Sequence, residues 1–158
     1  MEWSNEKDIH DLSAELEEKL GVGRIVVLEC TMFDDRHSSC PGSGPVFMYR
    51  VARSDKFEGW LKAAKSAIFS ELRRKRVRNP MGEVNLYIVT VCRTGKHKSV
   101  ACAELLAVAL EELRWKVKVN HMCDQLWGRC MGDCQRCQQY AHVNNDTFEL
   151  ALTIWQIV

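Results

Sequence analysis

The stretch Val91-Cys92-Arg93-Thr94-Gly95-Lys96-His97-Lys98-Ser99 runs from an apolar segment into a helix-forming one, and its residue types suit an oxyanion. First-turn N–H groups of a helix have no partner within it, and the helix dipole favours negative charge at that end. Gly95 permits close backbone approach, Arg93, Lys96, His97 and Lys98 add cationic or donor groups, and Thr94 and Ser99 add hydroxyls. The segment lacks the longer glycine-bounded loop ending in Gly-Lys-Ser/Thr that defines a Walker A site. An enzymatic reading of the same residues is open. Cys92, five residues, then Lys98 and Ser99 parallels the Cys-x5-Arg-Ser/Thr loop of cysteine phosphatases, where a thiolate of lowered pKa attacks phosphorus. A lysine lacks the planar bidentate fork that suits a transferring phosphoryl group, so binding is the preferred reading and Cys92 the catalytic alternative.

A second group of reactive types follows at Cys123, Cys130, Cys134 and Cys137. Cys134-x2-Cys137 has the short spacing that lets two thiolates face one tetrahedral zinc ion. Cys130 supplies a third ligand and Cys123 the preferred fourth, with His121 and His142 as alternatives. Structural zinc is the only cofactor this pattern suggests. Cys30, Cys40 and Cys102 read as core or bystander thiols. A third feature is the basic run Arg73, Arg74, Lys75, Arg76 and Arg78. It reads as a solvated helix end whose cations complement the dipole, with a nucleic-acid or nuclear-import patch as the functional alternative.

These groups need elements to position them. Ile9, Leu12, Leu16 and Leu20 recur at helical spacing, and Gly21 and Gly23 stop that helix. Arg24 to Cys30 reads as a buried strand, and Pro45 to Val51 as a short edge strand. Asp55 to Arg76 reads as a helix with Phe57, Trp60, Leu61, Ala64, Ile68 and Leu72 on its apolar face. Val84 to Val91 is the strongest strand signal, Ser99 to Leu113 a helix, and Trp115 to Val119 a third, alternating strand. Asn145 and Asp146 begin a last helix with Phe148, Leu152 and Trp155 on one side. Strands alternating with helices imply parallel βαβ crossovers. The expected fold is a small three-layer α/β domain, with a mainly parallel sheet of three or four strands, helices on both faces and a cysteine-rich loop. Ligands of such sheets bind beyond the carboxyl ends of the strands, where Glu29, the 92–99 segment and His121 fall.

At 158 residues the chain fits one domain: a helix over 1–23, an α/β core over 24–121, and the cysteine-rich loop with the last helix over 122–158. Hydrophobic residues make up 46% and charged residues 27%, which excludes a disordered or collagen-like chain. No apolar run reaches the ~18 residues of a membrane span, and the polar start lacks a signal-peptide core. The expectation is a cytoplasmic protein without membrane contact, nuclear import through 73–78 being the variant. The net charge of +1 hides an asymmetry. Residues 1–20 carry seven acids and two bases, whereas 50–98 carry thirteen bases and four acids. A basic middle in a neutral chain points to an anionic ligand.

The loop also carries a resemblance. Cys92 to Val100 resembles the Cys-Thr-Gly-Gly-(Lys/Gln/Arg)-His-Arg-Ser-Val segment of the RapZ C-terminal domain family, which belongs to RNase adaptor proteins. Leu28-Glu29-Cys30-Thr31 falls where the family has Asp-x-Arg after a strand. His37 falls on a family histidine, and Asn120-His121 on its Arg-His. The likeness covers roughly 24–121. It implies binding of a phosphorylated amino sugar such as glucosamine-6-phosphate, with Gly95, His97, Lys98 and Ser99 at the phosphate and Glu29, His37 and His121 nearby. It also implies RNA or a ribonuclease as partner, and it leaves oligomers open. The combined expectation is a regulatory binding module, not an enzyme. The alternatives are a cysteine-dependent phosphatase using Cys92 and Lys98, or a nucleic-acid-binding protein using the basic run.

Overall fold

In the computed structural model the described residues are 6–34, 40–93, 97–122, 130 and 134–158. Helix α1 (Glu6–Leu20) ends where the sequence predicts. Gly21 adopts φ 61°, its N–H reaches the Glu18 carbonyl, and the Val22 N–H reaches that of Glu17. This pairing closes a helix on a left-handed glycine and satisfies its last carbonyls. Strand β1 (Val26–Glu29) follows, then α2 (Pro45–Ala52), α3 (Phe57–Arg78) and β2 (Ile88–Val91). The chain continues through α4 (Lys98–Glu112), a short α5 (Gln135–Tyr140), a 3-10 turn over Ala141–Val143, and α6 (Asn144–Ile157).

Two sequence expectations are corrected. Pro45 to Val51 is not an edge strand but α2, with Pro45 in its first turn and Gly44 at the cap, whose carbonyl accepts from the Phe47 and Met48 N–H groups. Proline's fixed φ suits that turn. A short apolar run bounded by glycine does not by its periodicity separate a strand from a buried helix. Pro45, Val46, Phe47, Met48, Val51 and Ala52 are all buried, because α2 lies between α4 and α6. The second correction concerns the sheet, which among the described residues has two strands. Trp115 to Val119 keeps the alternating exposure of a strand but joins no ladder. Its side chains pack instead: Trp115 meets Phe69 at 5.9 Å, and Val117 leans on the core.

β1 and β2 pair in parallel, Val26 with Ile88 through Glu29 with Val91. Side chains alternate across a strand, so Val26 and Leu28 enter the core that α2, α3, α4 and α6 share, while Val27 and Val89 on the other face stay half-buried. That shared core holds Phe47, Phe57, Leu61, Ile68, Leu105 and Trp155. Lys65 Nζ donates to the carbonyls of Trp155 and Val158, tying α3 to the end of α6. No helix among the described residues is long and apolar enough to cross a membrane.

On α3 the buried Glu71 accepts from Arg74, with Arg24 at 3.7 Å. The hydrogen bond from Arg74, aided by the charges of Arg74 and Arg24, holds the Glu71 carboxyl below its usual range against the opposing effect of burial. A carboxylate depressed on folding stabilises above its unfolded-state pKa, and that stability is lost as pH falls through the folded-state pKa. Glu71→Gln should therefore cost about 1–3 kcal/mol at neutral pH. The gap from wild type should close as the solution is taken below the usual carboxylate range. Urea denaturation at neutral and acid pH measures both, and a gap unchanged by acid would contradict the assignment.

Candidate anion site and candidate metal centre

Parallel pairing brings the carboxyl ends of both strands together: the Cys30 N–H donates to the Val91 carbonyl at 2.8 Å. β1 leads into Thr31, and β2 into Cys92 and the start of α4. Lys98 spans the two exits, its Nζ donating to the Thr31 carbonyl at 3.2 Å. The Thr31 hydroxyl in turn donates to the exposed Glu29 carboxylate, and the Trp60 indole N–H holds the Glu29 carbonyl at 2.9 Å. Cys92 is buried with its Sγ 3.1 Å from the Ser99 hydroxyl. The Thr90 hydroxyl donates to the Ser99 carbonyl at 2.8 Å, which fixes the first turn of α4 to β2.

Of the residues expected at an anion, Glu29, Cys92, Lys98 and Ser99 are thus gathered at one end of the sheet, with Arg93 exposed beside them. His97 holds the cap position of α4 without capping it. Its ring stacks on Phe47, centroids 5.3 Å apart and planes 18° from parallel. Thr94, Gly95, Lys96 and His37 lie outside the described residues. His121 pairs through Nε2 with Glu104 Oε1 at 2.7 Å. Glu104 is six residues beyond Lys98, or about 9 Å along the helix axis at 1.5 Å per residue. Glu104 was missed because a lone acid on a helix announces nothing; only the returning chain gives it a histidine. A cavity of roughly 280 Å³ opens past the end of β1, lined by Phe33, Asp34, Arg50, Val51 and Ser54.

The cysteines divide into two groups. Cys30, Cys92 and Cys102 are buried behind the strand ends. Burial, reinforced by Cys30, pushes the Cys102 thiol well up, so it is an inert core thiol as expected. The second group is a cluster of Cys40, Cys130, Cys134 and Cys137, whose sulfurs all lie within 4.8 Å of one another. Of its two readings, core or bystander thiol, Cys40 is buried as the first expects but is no bystander: its Sγ is 3.6 Å from that of Cys134. Cys123, the expected fourth ligand, lies outside the described residues. Cys130 and Cys137 sulfurs are 3.9 Å apart, and no disulfide joins the described cysteines. The Cys137 backbone N–H, with neighbouring thiols, lowers Cys134 to about 7, whereas burial raises Cys40 and Cys137. His142 is exposed on the 3-10 turn and is not part of the group.

The basic run sits at the end of α3, largely engaged within the chain. Arg74 pairs with Glu71, Lys75 Nζ donates to the Asn85 carbonyl at 2.7 Å, and Arg76 to that of Gly82 at 2.9 Å. Arg73 and Arg78 are exposed. Lys75 also lies 5.7 Å from the Tyr87 ring centre. These contacts make it a helix end that clamps the approach to β2.

The family model for the RapZ C-terminal domain matches residues 35–124, more than half of the chain. The chain belongs to the RapZ C-terminal domain family. The matched RapZ region takes in Cys40, the basic run, β2, the 92–99 segment, α4 and His121. It leaves outside β1 with Glu29, and also Cys130, Cys134 and Cys137, so three of the four clustered thiols lie beyond the RapZ match. Comparisons with curated proteins and with solved structures gave no match.

Proposed function

We propose that this domain is a binding module for a phosphorylated small molecule of the amino-sugar-phosphate class, with a regulatory or RNase-adaptor role. The observation that carries the reading is the Lys98 bridge. It ties the exit of β1 to the first turn of α4, where the helix dipole favours an oxyanion, and this supports placing the anion beside the Lys98 cation. Family membership supports the adaptor role and RNA or a ribonuclease as partner. Glu29, beside the same corner, suits the hydroxyl or ammonium groups of an amino sugar. Structural zinc at the clustered thiols is the cofactor that accompanies this reading.

One observation bears on the enzymatic alternative. The Ser99 hydroxyl faces the Cys92 sulfur as it would in a phosphatase loop, but Cys92 is buried among core thiols. A thermal-shift titration with phosphate, glucosamine-6-phosphate, glucosamine and nucleotides tests the proposal. A ligand at a hundred times its dissociation constant stabilises by about 2.7 kcal/mol, which is roughly 5–10 °C for a chain of this size. The phosphosugar should give the largest shift, Cys92→Ser should keep it, and neither protein should release phosphate from a phosphate ester. A shift with nucleotides alone, or with no anion, overturns the proposal.

A further inference from the structure

The two chemical centres are joined by one short loop. Cys40 begins the segment Cys40-Pro41-Gly42-Ser43-Gly44 that leads into α2. Gly42 lies directly on the first turn of α4. A Cβ there would fall inside the contact shell of the His97 carbonyl and 2.7 Å from the Ala101 backbone nitrogen. Those two atoms form the first hydrogen bond of α4, at 2.9 Å. Gly44 fits less tightly on the other side, where a Cβ would stand 3.2 Å from the Cys137 sulfur. Phe47, three residues on, stacks on His97. The loop is thus wedged between the thiol cluster and the anion-binding turn.

The thiol geometry is compatible with a tetrahedral ion at one end of the wedge. A disulfide would need sulfurs about 2.05 Å apart. A tetrahedron built on bonds of about 2.3 Å to zinc has sulfur–sulfur edges of about 3.8 Å. The Cys40–Cys134 and Cys130–Cys137 edges measure 3.6 and 3.9 Å, and every other edge is within 4.8 Å. Few apolar residues support this end of the chain: Val46 and Tyr140 are the non-cysteine members of its small cluster among the described residues. An ion that crosslinks residue 40 to residues 130–137 would supply the restraint that burial does not.

We propose that Cys40, Cys130, Cys134 and Cys137 bind one zinc ion as a tetrathiolate and that this ion gates the anion site. When it binds, four Zn–S bonds form and the thiol protons still present leave to solvent. The loaded site presses Cys40–Gly44 onto α4 and holds His97–Ala101 in the turn that receives the anion. Loss of the ion frees the loop, and the turn frays. The inference rests on the anion-binding reading of that turn for its consequence, but the gating can be measured without any ligand.

The test uses the full chain purified without chelator. Elemental analysis should find one zinc per chain. Hydrogen exchange over residues 97–102 should rise at least tenfold when a chelator removes the metal and return when zinc is restored, with circular dichroism reporting whether the helices persist. Gly42→Ala keeps all four thiols but pushes the loop from α4. It should bind zinc one to one and still show the fast exchange of the stripped protein. Substoichiometric metal, or one iron per chain, overturns the site. Stoichiometric zinc with unchanged exchange in the stripped protein overturns the gating, and so does a protected turn in zinc-loaded Gly42→Ala. Failure of the zinc-loaded protein to bind phosphate or glucosamine-6-phosphate overturns the anion reading alone, because exchange still decides the gate.

Discussion

Lys98→Ala should weaken binding of a phosphate ester by about ten- to a hundredfold, the worth of a charge-assisted hydrogen bond. The lysine is half-buried between the two strand exits, so its removal takes away a cation and also the tie to the Thr31 carbonyl. Partial burial shields the charge from salt, so the loss should persist at moderate ionic strength. Lys98→Arg restores the charge and offers two donors in place of one point charge, and should recover most of the affinity. As a control, Arg73→Ala removes an exposed cation from the far end of α3 and should leave the dissociation constant unchanged. Titration calorimetry on the three variants decides. Equal affinity in Lys98→Ala and wild type would move the oxyanion away from this turn.

The other large effect is expected at Phe47. Its side chain is fully buried in the core shared by α2, α4 and α6 and also stacks on His97. Phe47→Ala removes a large buried ring and leaves a cavity, at a cost of about 3–5 kcal/mol. For a chain of this size that lowers the melting temperature by roughly 6–20 °C. Phe47→Leu refills most of the volume and should cost about 1–2 kcal/mol, yet it too loses the ring stack. An aromatic pair of this kind contributes about 0.5–1.5 kcal/mol, so the leucine variant should fold and bind phosphate two- to tenfold more weakly. Thermal unfolding and titration on the same samples separate the two roles. A leucine variant with wild-type affinity would make the His97 contact a matter of packing alone.

The elements that local signals define are the ones that formed. Gly21 ended α1 because only a left-handed residue closes that set of carbonyls, and the pattern from Phe57 to Ile68 gave α3 a buried stripe. The 92–99 segment stood out as a candidate for the same reason: a turn proposed to bind an anion needs glycine, hydroxyls and cations within a few residues, and all of them are local. Pro45 to Val51 was ambiguous because α2 is buried on most of its surface, so its apolar residues show no helical period. The proline in its first turn was the one signal that pointed to a helix.

Trp115 to Val119 shows the limit most clearly. Alternation does determine which side chains face inward, and Trp115 and Val117 are indeed packed. Whether such a segment is a strand depends on a neighbour's free N–H and C=O groups, which no local pattern encodes. The cysteines divide along the same line. The sequence alone determined that Cys134 and Cys137 could face one point, because two intervening residues return the chain to one side of a turn. Only the tertiary structure brought Cys40 to them across more than ninety residues and set Gly42 against α4. Short-range chemistry follows from backbone geometry that the residues themselves constrain, whereas partners distant in sequence meet only where the whole core packs.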